Sequence, residues 1–223
     1  SKVQAQEAKE SVLSESTRTR AQKLSGPKQD DASKKSQYVI VLDAGHGGKD
    51  EGAVSDDGKL EEKEYNLAVV KEIARLLEQS GVKVYCTRTT DRTVSKKARV
   101  RLANKRQADM LVSVHCNASD ARKHSVRGIE VLYSKRDNGA GFTNKQLAAK
   151  LLKKTVAATG LPARGVIRRE DLYLMHHAKV PAVIVETGYL TNPSDCLYMR
   201  QEKGIRQTAW GIYQAVMETL EKY

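Results

Sequence analysis

From residue 38 to residue 222, short apolar runs alternate with longer stretches of helical periodicity, and this alternation constrains the fold more than any other feature of the chain. Residues 38–42 (YVIVL) are β-branched and apolar and close on a glycine-rich turn, which reads as a buried strand. Residues 64–80 place Leu67, Val70, Ile73, Ala74 and Leu77 at helical spacing, with Gly81 as the stop. Residues 82–87 alternate as a strand, 94–107 read as a very basic helix, 110–115 (MLVSVH) as a buried strand and 128–133 (GIEVLY) as another. A helix over 144–159 closes at Gly160 and Pro162, 181–186 (PAVIVE) is a further strand, and 204–222 the last helix. The pattern predicts an α/β fold: a single three-layer domain over 38–223, with a mostly parallel or mixed central sheet and helices on both faces. No internal repeat and no second domain is visible.

Residues 1–37 have a different composition, rich in Ser, Lys, Gln, Glu and Ala, with Val3, Val12, Leu13 and Leu24 too sparse to build a core. A flexible basic N-terminal tail or linker is expected there. Over the whole chain, 39 Lys and Arg face 27 Asp and Glu, a net charge of +12, which points to an anionic partner: nucleic acid, a membrane surface or another anionic polymer. No apolar run approaches the roughly 18 residues of a membrane span. Cys86, Cys116 and Cys196 are odd in number and contain no Cys-x-x-Cys pair, which argues against a disulfide framework and a cysteine zinc site.

In open α/β sheets chemistry sits beyond the carboxyl ends of the strands. The first run is followed by Asp43-Ala44-Gly45-His46-Gly47-Gly48, another ends in His115-Cys116-Asn117, and the last in Glu186-Thr187-Gly188. Glu61 and Glu62 stand where the first helix begins. Two His and one Glu around an open position form a common catalytic zinc set, to which a non-ligating Glu adds a general base. Each part alone also has a structural explanation. The glycines permit a tight turn, a strand-end His is often a satisfied structural residue, and acids at a helix start suit the macrodipole. Walker spacing and a G-x-G-x-x-G pattern are both missing.

Four ordered segments, DAGHGG (43–48), EKEYNL (62–67), SVHCNA (113–118) and VETGYLTN (185–192), resemble the zinc-dependent N-acetylmuramoyl-L-alanine amidases of the amidase-3 type. TRTTD (87–91), RVRLAN (99–104) and RGIEVLY (127–133) also look like segments of that family. The resemblance implies one Zn2+ held by His46, Glu62 and His115, with Glu186 as the catalytic carboxylate and Glu61 in reserve. It further implies possible substrate or supporting roles for Asn117, Glu130 and His177. The implied reaction is hydrolysis of the amide between N-acetylmuramic acid and the L-alanine of the stem peptide. The implied setting is an exported protein of the bacterial envelope or the extracellular space, acting on peptidoglycan as a monomer. No nucleic acid is expected as a partner; the compact 119–180 has no room for the blocking helix found in some members, which implies either a cleft open by default or one regulated by a separate activator protein. Cys116 is expected to pack away from the metal.

Three alternatives remain at this stage. A non-haem iron oxygenase also uses two His and a carboxylate, but here the close His-x-Asp/Glu pair is missing. The basic run 96–106 suggests nucleic-acid binding, yet without zinc-finger spacing or an aromatic motif it reads as a solvated helix face. A non-catalytic wall-binding protein, or another metal-dependent amide hydrolase on the same fold, completes the set.

Overall fold

A computed structural model of the chain describes residues 38–120, 124–136 and 138–223. The tail expected over 1–37 lies outside the described residues. Six strands, β1 (Val39–Ala44), β2 (Lys83–Cys86), β3 (Met110–Asn117), β4 (Ile129–Tyr133), β5 (Ala163–Arg168) and β6 (Ala182–Tyr189), form one sheet in the order β2-β1-β3-β6-β4-β5. β2, β1, β3 and β6 run parallel, β4 and β5 run parallel to each other, and the two blocks meet antiparallel at β4 and β6. The helices are α1 (Glu62–Gln79), α2 (Lys96–Arg106), α3 (Asn144–Thr159), α4 (Tyr173–His177), α5 (Pro193–Met199) and α6 (Glu202–Lys222).

Successive strand residues face opposite sides, and both sides of the central strands are apolar. One face carries Ile40, Leu42, Val112, Val114, Val183 and Val185, buried against Val70, Ile73 and Leu77 of α1, Leu147 and Leu151 of α3, and Ile212 and Val216 of α6. The other carries Val41, Leu111, Leu132 and Ile184, buried against Val100 and Ala103 of α2 and Leu174 and Met175 of α4. Buried on both faces, these strands read as continuous apolar runs. The expected α/β three-layer domain is therefore the observed one.

Three short elements go beyond the sequence reading. β5 is an edge strand whose residues are exposed or half-buried, so it has no apolar face to betray it. α4 spans five residues and α5 seven, too short to show a helical period. α1 begins earlier than expected, at Glu62 rather than 64. That difference matters for the site, because it places Glu62 as the first helical residue.

Candidate metal centre

β1 delivers its last residues, Asp43 and Ala44, into a turn that no ordinary backbone follows. His46 has φ +60°, in the left-handed region that costs energy for a residue with a Cβ. Two arginines hold this turn from below. Arg88, fully buried, donates from Nε to Ala44 O (3.0 Å) and from Nη2 to Gly45 O (2.9 Å) and Lys63 O (2.7 Å). Arg99 donates from Nη1 to Ala44 O (2.6 Å) and from Nη2 to His46 O (2.7 Å). Its charge is met by Asp43 Oδ1 at 2.7 Å. Asp43 also accepts from Thr87 Oγ1 and Ser113 Oγ, both at 2.6 Å. Burial alone would push the Asp43 carboxyl up, but the Arg99 charge and these hydrogen bonds outweigh it and hold it below the usual carboxylate range.

Over this floor His46, Glu62 and His115 converge, with one ligand-capable atom of each within 4.8 Å of the others. His46 Nε2 lies 3.2 Å from Glu62 Oε2, and His115 Nδ1 lies 2.9 Å from Glu62 Oε1. Glu62 is buried and well supplied with donors: Ala53 N to Oε2 (2.8 Å), Cys116 N to Oε1 (3.0 Å) and Asn66 Nδ2 to Oε1 (3.3 Å). Burial pushes its carboxyl up, yet the bonds from both histidines and their charge prevail and keep it ionised. The His46 and His115 imidazoles, which burial would push down, are raised instead, chiefly by Glu62. On the outer side of His46, Nδ1 lies 2.9 Å from Asp50 Oδ1, so a carboxylate stands behind this ring.

The site has room for an ion because two positions lack a side chain. A Cβ at Gly45 would fall 2.3 Å from Cε1 of His115. One at Gly52 would fall 2.5 Å from Glu62 Oε2 and 2.7 Å from His46 Cδ2. Two neutral-capable imidazoles and an ionised carboxylate on a glycine-lined cradle fit a divalent metal by donor type and by space.

Glu186 stands one strand away, directly beside His115 in the β3–β6 register. Its Oε2 is buried and has no hydrogen-bond partner among the described residues. Burial pushes its carboxyl up to about 7, against the lowering effect of His115. His46, His115 and Glu186 share a cleft of about 270 Å3, lined also by Val94, Lys96 and Ile184 and by Leu172, Tyr173 and Leu174 around the start of α4.

The remaining sequence candidates fall in different places. Glu61 turns away from the cluster to pair with Lys63 Nζ (3.0 Å), which separates it from Glu62. Glu130 is the cross-strand neighbour of Glu186 on antiparallel β4. It accepts from Arg164 Nε (2.5 Å), Tyr189 OH (3.0 Å) and Asn117 Nδ2 (3.4 Å), which makes a polar group on the far side of Glu186 from the histidines. Asn117 therefore joins Glu130 and Tyr189 rather than the imidazoles; the β3–β6 register shifts between His115 and Asn117. His177 does not line the cleft. Its ring stacks on that of Tyr173, one turn earlier in α4, with centroids 4.0 Å apart, and it is Tyr173 that lines the cavity. Cys116 is buried in the core of the opposite sheet face, as expected of a packing residue.

Arg99 is a correction. The run 96–106 does not form one solvated face, since Arg99 is only 7% exposed and bonds beneath the site. Its signal in the sequence is its place four residues before Ala103, on the stripe that α2 buries. Arg88 and Asp43 lie within quoted motifs and Asp50 two residues beyond one, but no spacing rule distinguishes a supporting residue from a turn residue.

Known proteins resemble this chain in sequence and in fold. N-acetylmuramoyl-L-alanine amidase LytC of Bacillus subtilis is 36% identical over 163 residues, 73% of this chain but 32% of LytC, so the chain spans about a third of that relative's length. The solved catalytic domain of CwlV, an N-acetylmuramoyl-L-alanine amidase from Bacillus (Paenibacillus) polymyxa var. colistinus, superposes with a TM-score of 0.76 at 33% identity, over 82% of this chain and 98% of that one. The CwlD amidase from Clostridioides difficile, solved in complex with the GerS lipoprotein, gives 0.76 at 29% identity, over 83% and 100%. Because the family profile described as N-acetylmuramoyl-L-alanine amidase matches residues 40–218, nearly the whole described domain, the chain belongs to the amidase-3 family of N-acetylmuramoyl-L-alanine amidases.

Proposed function

We propose that this chain is a peptidoglycan hydrolase that cleaves the amide joining N-acetylmuramic acid to the L-alanine of the stem peptide, with zinc held by His46, Glu62 and His115. The observation that carries the reading is Glu186, whose buried Oε2 has no hydrogen-bond partner among the described residues, one strand from a three-residue cluster that could hold a metal in a chain of this family. When bound, the metal supplies a Lewis acid that polarises the amide carbonyl and brings the pKa of water toward about 7. Glu186 takes the water proton and returns it to the leaving amine. Its environment suits both steps, because a carboxyl raised to about 7 holds and releases a proton near neutrality. Glu62 remains ionised and unreactive under its donors. Arg88 and Arg99 keep the His46 turn in place through its carbonyls.

All four residues come from one chain, which supports action as a monomer. Peptidoglycan as substrate places the working protein outside the cytoplasm, and no helix among the described residues is long and apolar enough to cross a membrane. The CwlD–GerS complex supports control by a separate protein here too. The deciding experiment digests purified sacculi with the chain and examines the products by mass spectrometry. Peptides with free L-alanine amino termini are expected, together with zinc in the purified protein by elemental analysis. New reducing sugar ends in their place would sink the reading.

A further inference from the structure

α2 differs from α1 and α6, which carry acids, and from α3, which has none but whose Lys150 and Lys154 are met by Glu218 of α6. α1 opens with Glu62 and Glu64 and pairs Glu72 with Arg75 at 2.6 Å. α6 opens with Glu202, which pairs with Arg206 at 2.5 Å. α2 carries six Lys and Arg and no acid, and two of its cations, Lys96 and Lys97, sit in the first turn against the positive end of the helix dipole. Arg99 is occupied by Asp43, and Arg106 lies over the Tyr85 ring at 4.0 Å. Of the other four, Lys96 lines the cleft, and Lys97, Arg101 and Lys105 are left. They are spaced four apart, so they form one stripe with neighbours about 6 Å from each other. All three are exposed. None makes an ion pair or a side-chain hydrogen bond among the described residues.

Like charges four apart weaken a helix, and cations in the first turn weaken it further. A solvated helix gains nothing from that arrangement; a ligand that neutralises it does. The stripe starts one residue from Lys96, which lines the cleft, and runs back along α2 for about 12 Å. We infer that the outer face of α2 is a docking strip for a linear phosphodiester polymer of the envelope, which holds the enzyme beside its substrate. This rests on the wall-hydrolase reading above. A single file of cations matches a chain with one charge per repeat. The exposed positions of α2 contain no apolar residue to enter a bilayer, and one row of three cations does not span a duplex.

The test uses the whole chain and its K97Q/R101Q/K105Q variant, with purified polyglycerol phosphate as the probe, titrated over a range of salt. The wild type is expected to bind with an affinity that falls as salt rises. The variant should bind about tenfold or more weakly, with a shallower salt dependence. Both should cleave a soluble muropeptide equally, and the variant should melt at the same or a higher temperature because the repulsion is gone. Unchanged polymer binding by the variant would overturn the inference. So would tighter binding of the wild type to duplex DNA or to phosphatidylglycerol vesicles at the same salt. Loss of polymer binding in the variant, with no muropeptide cleavage by either protein, would overturn the amidase reading and leave the docking strip standing.

Discussion

Glu62 and Glu186 flank the same imidazole and have opposite surroundings. Glu62 receives hydrogen bonds from Ala53 N, Cys116 N and Asn66 Nδ2 and stands against both histidines. Glu186 Oε2 receives none. Burial presses both carboxyls toward neutrality, but only Glu62 has the donors to resist, so one is held ionised and the other rises to about 7. On the proposed reading, two residues of one type are thus prepared for different work by the supply of donors around them. A ligand must stay charged, whereas a base must trade a proton near the working pH. The backbone makes the difference: the amide of Cys116, beside His115, points at Glu62, whereas Glu186 sits in mid-register between β3 and β4 with its own backbone paired into the sheet.

The sharpest way to break this comparison is to neutralise each carboxylate in turn. Glu186→Gln should lower turnover by about 10²–10⁴-fold, the usual contribution of a general base, while metal content by elemental analysis stays at the wild-type level. Glu62→Gln should lose metal as well as activity. In metal-free protein at neutral pH, Glu186→Gln should melt no lower than wild type, because an amide replaces a carboxyl that burial disfavours when charged. Equal metal loss in both variants would erase the proposed division of roles.

Asp43 extends the comparison to the floor of the site, where a carboxylate is again rich in donors but faces an arginine instead of histidines. Arg99→Met should destabilise the fold by about 3–5 kcal/mol, the effect of leaving a buried charge without its partner, read by denaturant unfolding. The pH dependence has a fixed sign. A folded-state pKa below the ordinary 3.8 means that Asp43 contributes stability above that value and loses it as pH falls through the lower folded pKa. The stability gap between wild type and Asp43→Asn should therefore narrow below about pH 4. A gap that widens in acid would show that Asp43 is not held ionised.

The smallest effect expected is at Asp50, behind His46. A carboxylate against the non-ligating nitrogen of a metal-binding imidazole orients the ring and raises its basicity, and its loss typically weakens metal affinity by about 10–100-fold. Asp50→Asn should show this in competition with a chelator while the fold keeps its melting temperature, since Asp50 is exposed. An unchanged affinity would assign the orientation of His46 to the left-handed turn and Arg99 alone.

What could be read from the chain without its fold was local or ordered along it. Apolar runs announced β1, β3 and β6, helical spacing announced α1, α3 and α6, and the polar residues closing the runs announced His46, His115 and Glu186. These signals survive in one dimension because each strand end is contiguous in sequence. The choice between Glu61 and Glu62 was not legible, since adjacent helix-start residues differ only in direction; α1 decided it by beginning at Glu62. Arg99 was hidden within a run of cations, because burial depends on which arc of α2 meets the sheet. Glu130 lies at the beginning of its strand, and it reaches Glu186 only because β4 runs antiparallel to β6. The sequence by itself determined the α/β class and the residue types available at the strand ends. Only the tertiary structure decided which carboxylate receives donors and which is left without, because hydrogen bonds to Glu62 come from residues 53, 66 and 116, which nothing but folding brings together.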